Sequence, residues 1–244
     1  MKLDDLRRLN TARHQRQTVL RITDLHGGHD SIVVEGEACD PLLAVPVSTA
    51  FRSGKSGSSE IAGRTYFIDV QVPPPQIVII GAVHLGQVLA QMAQLAGFTI
   101  RVIDPRMAFA TPQRFPNIEL FSDWPDEVFA TRPLDAYTAL VALSHDPKID
   151  DFPVAEALRA GCFYVGALGG RKSHSLRLQR LAANGFSAAD LERIRGPIGL
   201  DIGAIAPAEI AIAILAEIVQ SLRRRSTAAT ARSGQDRASL RASV

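Results

Sequence analysis

Cysteine is scarce in this chain: Cys39 and Cys162 are the two thiols in 244 residues. They form neither a disulfide framework nor a Cys-x-x-Cys metal or redox motif. Cys162 lies in the apolar run CFYVG and reads as a buried thiol, which suits a reducing compartment. Long hydrophobic runs are missing too. None approaches the roughly 20 residues that cross a bilayer, and the opening stretch MKLDDLRRLNTARHQRQ has no apolar signal segment. The expectation is a cytoplasmic protein that does not engage a membrane. There is no P-loop, no H-E-x-x-H pair and no nucleic-acid-binding module, so nucleic acid is not an expected partner. His26-Gly27-Gly28-His29 has a ligand-like spacing. Without cysteine or acid partners at suitable spacing it is not read as a zinc site, and no metal ligands are expected elsewhere.

The net charge of +2 conceals an uneven distribution. From Arg223 onward six arginines accompany one acid, Asp236, which leaves 21 basic against 24 acidic side chains in residues 1–222. The globular part is therefore mildly acidic. Residues 223–244, with almost no large apolar side chains, read as a disordered basic tail. With 46% hydrophobic and 21% charged residues, the remainder can bury a core. Its length suits one good-sized domain and one small one.

Residues 1–72 read as a small α+β domain. A helix from Leu3 to about Arg16 precedes strand-like QTVLRIT and SIVVE, a loop FRSGKSGSSE and a last strand TYFIDVQV. Pro73-Pro74-Pro75 is a stiff punctuation mark and the expected boundary. From there to residue 222 the pattern changes. IVII, TIRVID, IEL, TALVAL and FYVGAL are short apolar runs, and His84–Gly97 has one apolar helical face. Runs apolar on both faces, alternating with helices, predict an α/β Rossmann-like domain with a parallel sheet covered on both sides. LRLQRLAANG stops at Asn184-Gly185. The last helix starts at Pro207, is apolar nearly all round and is expected to be well buried.

The strand–GAVHLG–helix–strand sequence ending in Asp104 has the layout of a dinucleotide-binding βαβ unit. The glycine fingerprint is incomplete: Gly81 and Gly86 are present, but Val83 stands where the middle glycine lets a pyrophosphate approach the backbone. That disfavours ordinary NAD(P) binding, although the helix start still offers N–H groups to an anion. His84 lies in its first turn. In a doubly wound sheet, ligands collect beyond the carboxyl ends of the strands. The residues there are Gly81 to His84, then Asp104-Pro105-Arg106, then Ser144-His145-Asp146, then Gly169-Gly170-Arg171-Lys172-Ser173-His174. Together they form a lining suited to a phosphorylated, hydrogen-bond-rich ligand. In GPIGLDIGAIAPAEIAIAILAE, a glycine-rich loop carrying Asp201 runs into the final helix with Glu209 in its first turn, another arrangement able to cradle an anion.

GAVHLGQVLAQMAQLAGFTIRVIDPR, LSHDPKIDD, FYVGALGGRKSHSLRLQRL and IRGPIGLDIGAIAPAEIAIAILAEI, in that order, resemble the XdhC/CoxI family of accessory factors for xanthine dehydrogenase and related molybdenum hydroxylases. The resemblance covers about residues 73–222. It implies a non-enzymatic chaperone that binds molybdenum cofactor, as molybdopterin or its cytosine dinucleotide form. The cofactor would be sheltered during sulfuration and passed to an apo molybdenum hydroxylase, with a cysteine desulfurase as a second partner. On that resemblance Gly81, His84, Asp104, Arg106, His145, Gly169, Arg171 and Asp201 match family motif positions. Many members also carry an N-terminal Ser-Gly-Gly-Cys-Val-Glu motif, which residues 1–72 lack; Cys39, in EGEACDP, has different surroundings. The expectation is a shortened or split form whose site a second XdhC-type chain or a homodimer completes. Two alternatives stand beside it. One is an NAD(P)-dependent oxidoreductase, favoured by the fold and Asp104. The other is a maturation factor for a carbon monoxide dehydrogenase-type enzyme, which no Met-rich copper motif supports.

Overall fold

The computed structural model describes residues 2–241 in backbone and residues 2–224 in side chain. The expected basic tail, 223–244, lies outside the described side chains from residue 225 onward. Two compact units divide within the three-proline run: the first is built on Met1–Pro73, the second is Pro74–Arg223.

In the first unit, helix α1 (Leu3–His14) ends before Arg16, which turns left-handed at φ 54°. Strands β1 (Val19–Asp24), β2 (Asp30–Val34), β3 (Gly57–Ile61) and β4 (Arg64–Gln71) form an antiparallel sheet in the order β2-β1-β4-β3. Alternation sorts their side chains to two faces. Val19 and Ile32 pack with Leu9 and Ala12 of α1, while Leu20, Ile22, Val33 and Ile68 pack with Val47 and Ala50 of helix α2 (Ala44–Ser53). The structure corrects the reading of residues 51–60 as a loop: they hold the end of α2, a turn through Gly54 at φ 63°, and most of β3. His26-Gly27-Gly28-His29 is the β1–β2 hairpin turn, closed by Asp24, which accepts the N–H groups of His26 and Gly27.

The second unit is a six-stranded sheet, parallel throughout. Its strands are β5 (Gln76–Ile80), β6 (Thr99–Ile103), β7 (Glu119–Phe121), β8 (Thr138–Ala142), β9 (Tyr164–Ala167) and β10 (Ile194–Arg195), in the order β10-β9-β8-β5-β6-β7. The chain starts in the middle, winds outward to β7, then returns to β8 and winds the other way. β5 and β8 are buried along their whole length. Ile77, Ile79, Ala139 and Val141 point to one face, under helices α3 (His84–Leu95) and α8 (Pro207–Arg241). Val78, Ile80, Leu140 and Ala142 point to the other, under α4 (Pro125–Thr131), α5 (Pro147–Arg159) and α6 (Arg171–Ala183). A short helix, α7 (Ala188–Leu191), leads into β10. The final helix is less enclosed than its composition implies. Ala211, Ala213, Ile214 and Ile218 are buried, but Ile212 is half exposed. Among the described residues no helix is long and apolar enough to cross a membrane.

Candidate functional site: the carboxyl edge of the parallel sheet

The winding direction reverses between β5 and β8, and a sheet of this order opens a crevice beyond the carboxyl ends of those two strands. The strand ends are held there by main-chain bonds. The Gly81 N–H donates to Ile103 O and the Leu143 N–H to Ile80 O, both at 2.8 Å. Gly81 has φ 104°, and a Cβ on it would lie 2.8 Å from the Ser144 nitrogen. Only glycine satisfies both constraints. Gly86 packs equally close, with its Cβ position 2.8 Å from Gly81 O. It is buried, and lets α3 pack closely on β5 and the start of the Leu143–Ser144 turn. Val83 is the N-cap of α3, partly buried against the core, with its β-branched side chain where the fingerprint has glycine.

Asp104 follows β6, as its spacing predicted, but its side chain turns inward and is 0% exposed. Oδ2 accepts the Ala82 N–H at 2.7 Å and Arg106 Nη2 at 2.8 Å. Oδ1 accepts Arg106 Nε at 2.9 Å and the Arg106 N–H at 3.0 Å. A carboxylate has about four acceptor positions, and all are taken. Burial pushes this carboxyl up, but the Arg106 bonds and the Ala82 N–H outweigh it and hold it below the usual range. Asp104 is thus a brace for the Gly81–Ala82 turn, with its acceptor positions filled by the chain's own donors. Arg106, partly exposed, sits 4.7 Å above the Phe109 ring.

Beyond β8, Ser144 is buried while His145 is exposed at φ 63°, a left-handed conformation uncommon for a residue with a side chain. Asp146 caps α5 by accepting the Lys148 N–H at 2.9 Å. Two residues missed from the sequence lie beneath this turn. Asp150, 0% exposed, accepts the Ser144 hydroxyl at 2.7 Å and the Ser144 N–H at 3.3 Å. Arg177 of α6, 4% exposed, lies 3.9 Å from Asp150 Oδ2 and donates to Leu168 O at 3.4 Å. Burial pushes the Asp150 carboxyl up to about 6, against the opposing pull of Ser144 and Arg177. The signal for both was periodicity: Asp150 shares an apolar helix face with Val154, Ala157 and Leu158, and Arg177 one with Leu178 and Leu181. His174, which burial holds below its usual value, packs against the Gly196 backbone so closely that a Cβ there would overlap its ring.

The last piece is the loop after β10. Gly199 at φ 92° runs against the backbone of α8, and its N–H donates to Glu217 at 2.9 Å. Glu217 also accepts the Tyr164 hydroxyl at 2.7 Å, tying the loop to β9; sequence reasoning missed this pair. Asp201 is exposed. Glu209 fills the start of α8, accepting the N–H groups of Ile205 and Ala206 at 2.7 and 2.9 Å. The helix starts at this edge therefore differ. α5 and α8 are satisfied by their own acids, whereas α3 and α6 begin at Val83 and Gly170 with no side-chain cap. His84 and Arg171 are exposed in those two first turns, and Gly169, at φ 137°, leads into the second. Met107, Phe109, Ile202 and Ile205 are exposed apolar residues on the loops after β6 and β10. Among the described residues, no three His, Cys, Asp or Glu side chains gather as a metal site.

A fully parallel sheet in this order, with a braced glycine turn after its first strand and an uncapped helix start at the switch point, defines a Rossmann-type domain. The chain belongs to the XdhC family: the model for the XdhC Rossmann domain matches residues 77–218. Among curated proteins it is 32% identical over 170 residues to the uncharacterized protein YqeB of Escherichia coli, covering 67% of this chain and 30% of that protein. It is 29% identical over 159 residues to a Bacillus subtilis protein named as a probable xanthine dehydrogenase subunit, covering 65% of this chain and 46% of the relative. The molybdenum cofactor insertion chaperone PaoD of Escherichia coli is 31% identical over 147 residues, covering 60% of this chain and 40% of PaoD. The chain thus spans less than half the length of these relatives. A solved structure described as a xanthine dehydrogenase from Bacillus halodurans shares the fold, with a TM-score of 0.64 at 22% identity, over 92% of this chain and 68% of the other.

Proposed function

We propose that this protein is a molybdenum cofactor accessory factor that takes the cofactor as cargo at the carboxyl edge of its sheet. The cargo would then be released to an apo molybdenum hydroxylase of the xanthine dehydrogenase type. The observation that carries this reading is the family membership, which a relative named for molybdenum cofactor insertion shares. The geometry is compatible with it. The cargo carries phosphate, and the uncapped starts of α3 and α6 offer N–H donors to an anion. Arg106, His84, His145, Arg171 and Asp201 supply polar side chains along the same edge. Ser144 and Asp146 shape the turn from within, and Gly81, Gly169 and Val83 set the backbone around it. Molybdopterin and its cytosine dinucleotide both meet these requirements. Sulfuration by a cysteine desulfurase, and completion of the site by a second XdhC-type chain or a homodimer, belong to the same proposal.

The competing reading, an NAD(P)-dependent oxidoreductase, is disfavoured by one specific observation: the acid at the end of β6 has no acceptor position left for a ribose hydroxyl. The decisive experiment purifies the protein without oxygen from cells that make the cofactor. Bound molybdenum is read by elemental mass spectrometry and bound pterin by fluorescence after acid oxidation, with NADH titrated in parallel. Molybdenum and pterin at near one per chain, with no NADH response, are expected. A bound nicotinamide nucleotide in their place overturns the proposal.

A further inference from the structure

The Ser144 hydroxyl has one hydrogen and two acceptors within reach: Asp150 Oδ1 at 2.7 Å and the Asp146 carbonyl at 3.3 Å. Its oxygen meanwhile accepts the Asp146 N–H at 3.1 Å, so the hydroxyl joins the turn to whatever lies beneath it. We infer that Asp150 is a positioning residue whose proton decides which acceptor the Ser144 hydroxyl takes, and hence how the Ser144–His145–Asp146 turn meets the crevice. An ionised carboxylate is the stronger acceptor and holds the hydroxyl downward. A protonated one is weaker and releases it to the Asp146 carbonyl, inside the turn. That the turn borders cargo rests on the function proposed above; the switch itself does not.

The surroundings of Asp150 favour two protonation states of similar energy. Its Oδ2 is buried without a hydrogen-bond partner. Arg177, on α6, stands off at 3.9 Å and is shared with Asp151, whose Oδ1 lies 3.6 Å from Arg177 Nε. Asp151 in turn is held by Arg180. From the β8 side Asp150 is faced by Ser144 and by the charge of His145. From the β6 side the Arg106 guanidinium reaches it through space, as it does Asp146. His174, also on α6, is held below its usual value by burial and by the Arg177 charge. Burial opposes the charge on Asp150 and these cations favour it, so its transition falls near pH 6. An anion settling against the turn would favour the protonated state, so binding there and proton uptake at Asp150 would be linked.

The test is an NMR titration of the full chain without cargo, in a His145→Gln background that removes the neighbouring imidazole. The expected result is a common inflection near pH 6 in the Asp150 carboxyl carbon and in the backbone amides of Ser144 and Asp146. The amide inflections should vanish in Asp150→Asn. Should that variant fail to fold, Ser144→Ala keeps the carboxyl transition but loses the one at the Asp146 amide. Amides that stay flat while Asp150 titrates or that inflect without Asp150, or an Asp146 amide that inflects without the Ser144 hydroxyl, overturn the inference. Because no cargo is present, that failure is distinct from a failure to find molybdenum.

Discussion

Asp104 grips Arg106 through both carboxylate oxygens, with bonds of 2.9 Å to Nε and 2.8 Å to Nη2. A carboxyl held below its usual range stabilises the fold above the ordinary carboxylate range and loses that contribution as pH falls through its lowered value. Arg106→Ala leaves the buried carboxylate with backbone donors alone. A loss of about 2–3 kcal/mol near neutral pH is expected, less than for a wholly buried pair because Arg106 is partly open to water. The acid-unfolding midpoint should move to higher pH. Chemical denaturation at several pH values measures both, and unchanged curves would mean that the pair does not brace the turn.

Asp150 predicts the opposite slope. Its carboxyl is raised to about 6. Between the unfolded carboxylate value and that point only the native state keeps the proton, so stability falls as pH rises through the window and levels off above it. Asp150→Asn cannot ionise. From about pH 4 to about pH 7 its stability relative to the parent should therefore improve by roughly 3 kcal/mol, whatever the offset between the two. A constant offset across that range would place the Asp150 transition elsewhere.

Gly81→Ala tests the contact between β5 and β8. The substitution meets both a positive φ and the Ser144 backbone. Strain of that kind costs about 1–3 kcal/mol before any displacement of the neighbouring chain. Thermal unfolding should show a loss at or above that range, and a variant within about 1 kcal/mol of the parent would contradict the packing described.

His145→Gly separates stability from cargo binding. Glycine relieves the left-handed backbone by about 1–2 kcal/mol and costs about 0.5–1 kcal/mol in chain entropy, so stability should rise by no more than about 1.5 kcal/mol. Molybdenum retained through purification should fall several-fold if the imidazole meets the cargo. Full retention would remove His145 from the site.

The central sheet was legible because β5 and β8 are apolar on both faces, a pattern few other structures explain. The β3 strand was not: FRSGKSGSSE is rich in Gly and Ser, and its end becomes strand only through pairing with β4, from Gly57 opposite Ile68 to Ile61 opposite Arg64. α2 was missed because AVPVSTAFRS mixes a proline with branched residues and is held by packing on the sheet. At the candidate site, spacing located Asp104 at the end of the second parallel strand but could not tell which way its side chain turns. Four donors decide that, and three of them belong to a residue only two positions away. Asp150 and Arg177 belong to no recognisable motif, although each sits on an otherwise apolar helix face.

Gly81 lies against Ser144 at backbone distance, so the floor between β5 and β8 is made of main-chain atoms that few substitutions can alter. Met107, Phe109, Ile202 and Ile205 sit on loops outside the strand ladders. Divergence in such a lineage would run through the margin and spare the floor. Descendants could rewrite two loops while inheriting the same main-chain bed unchanged.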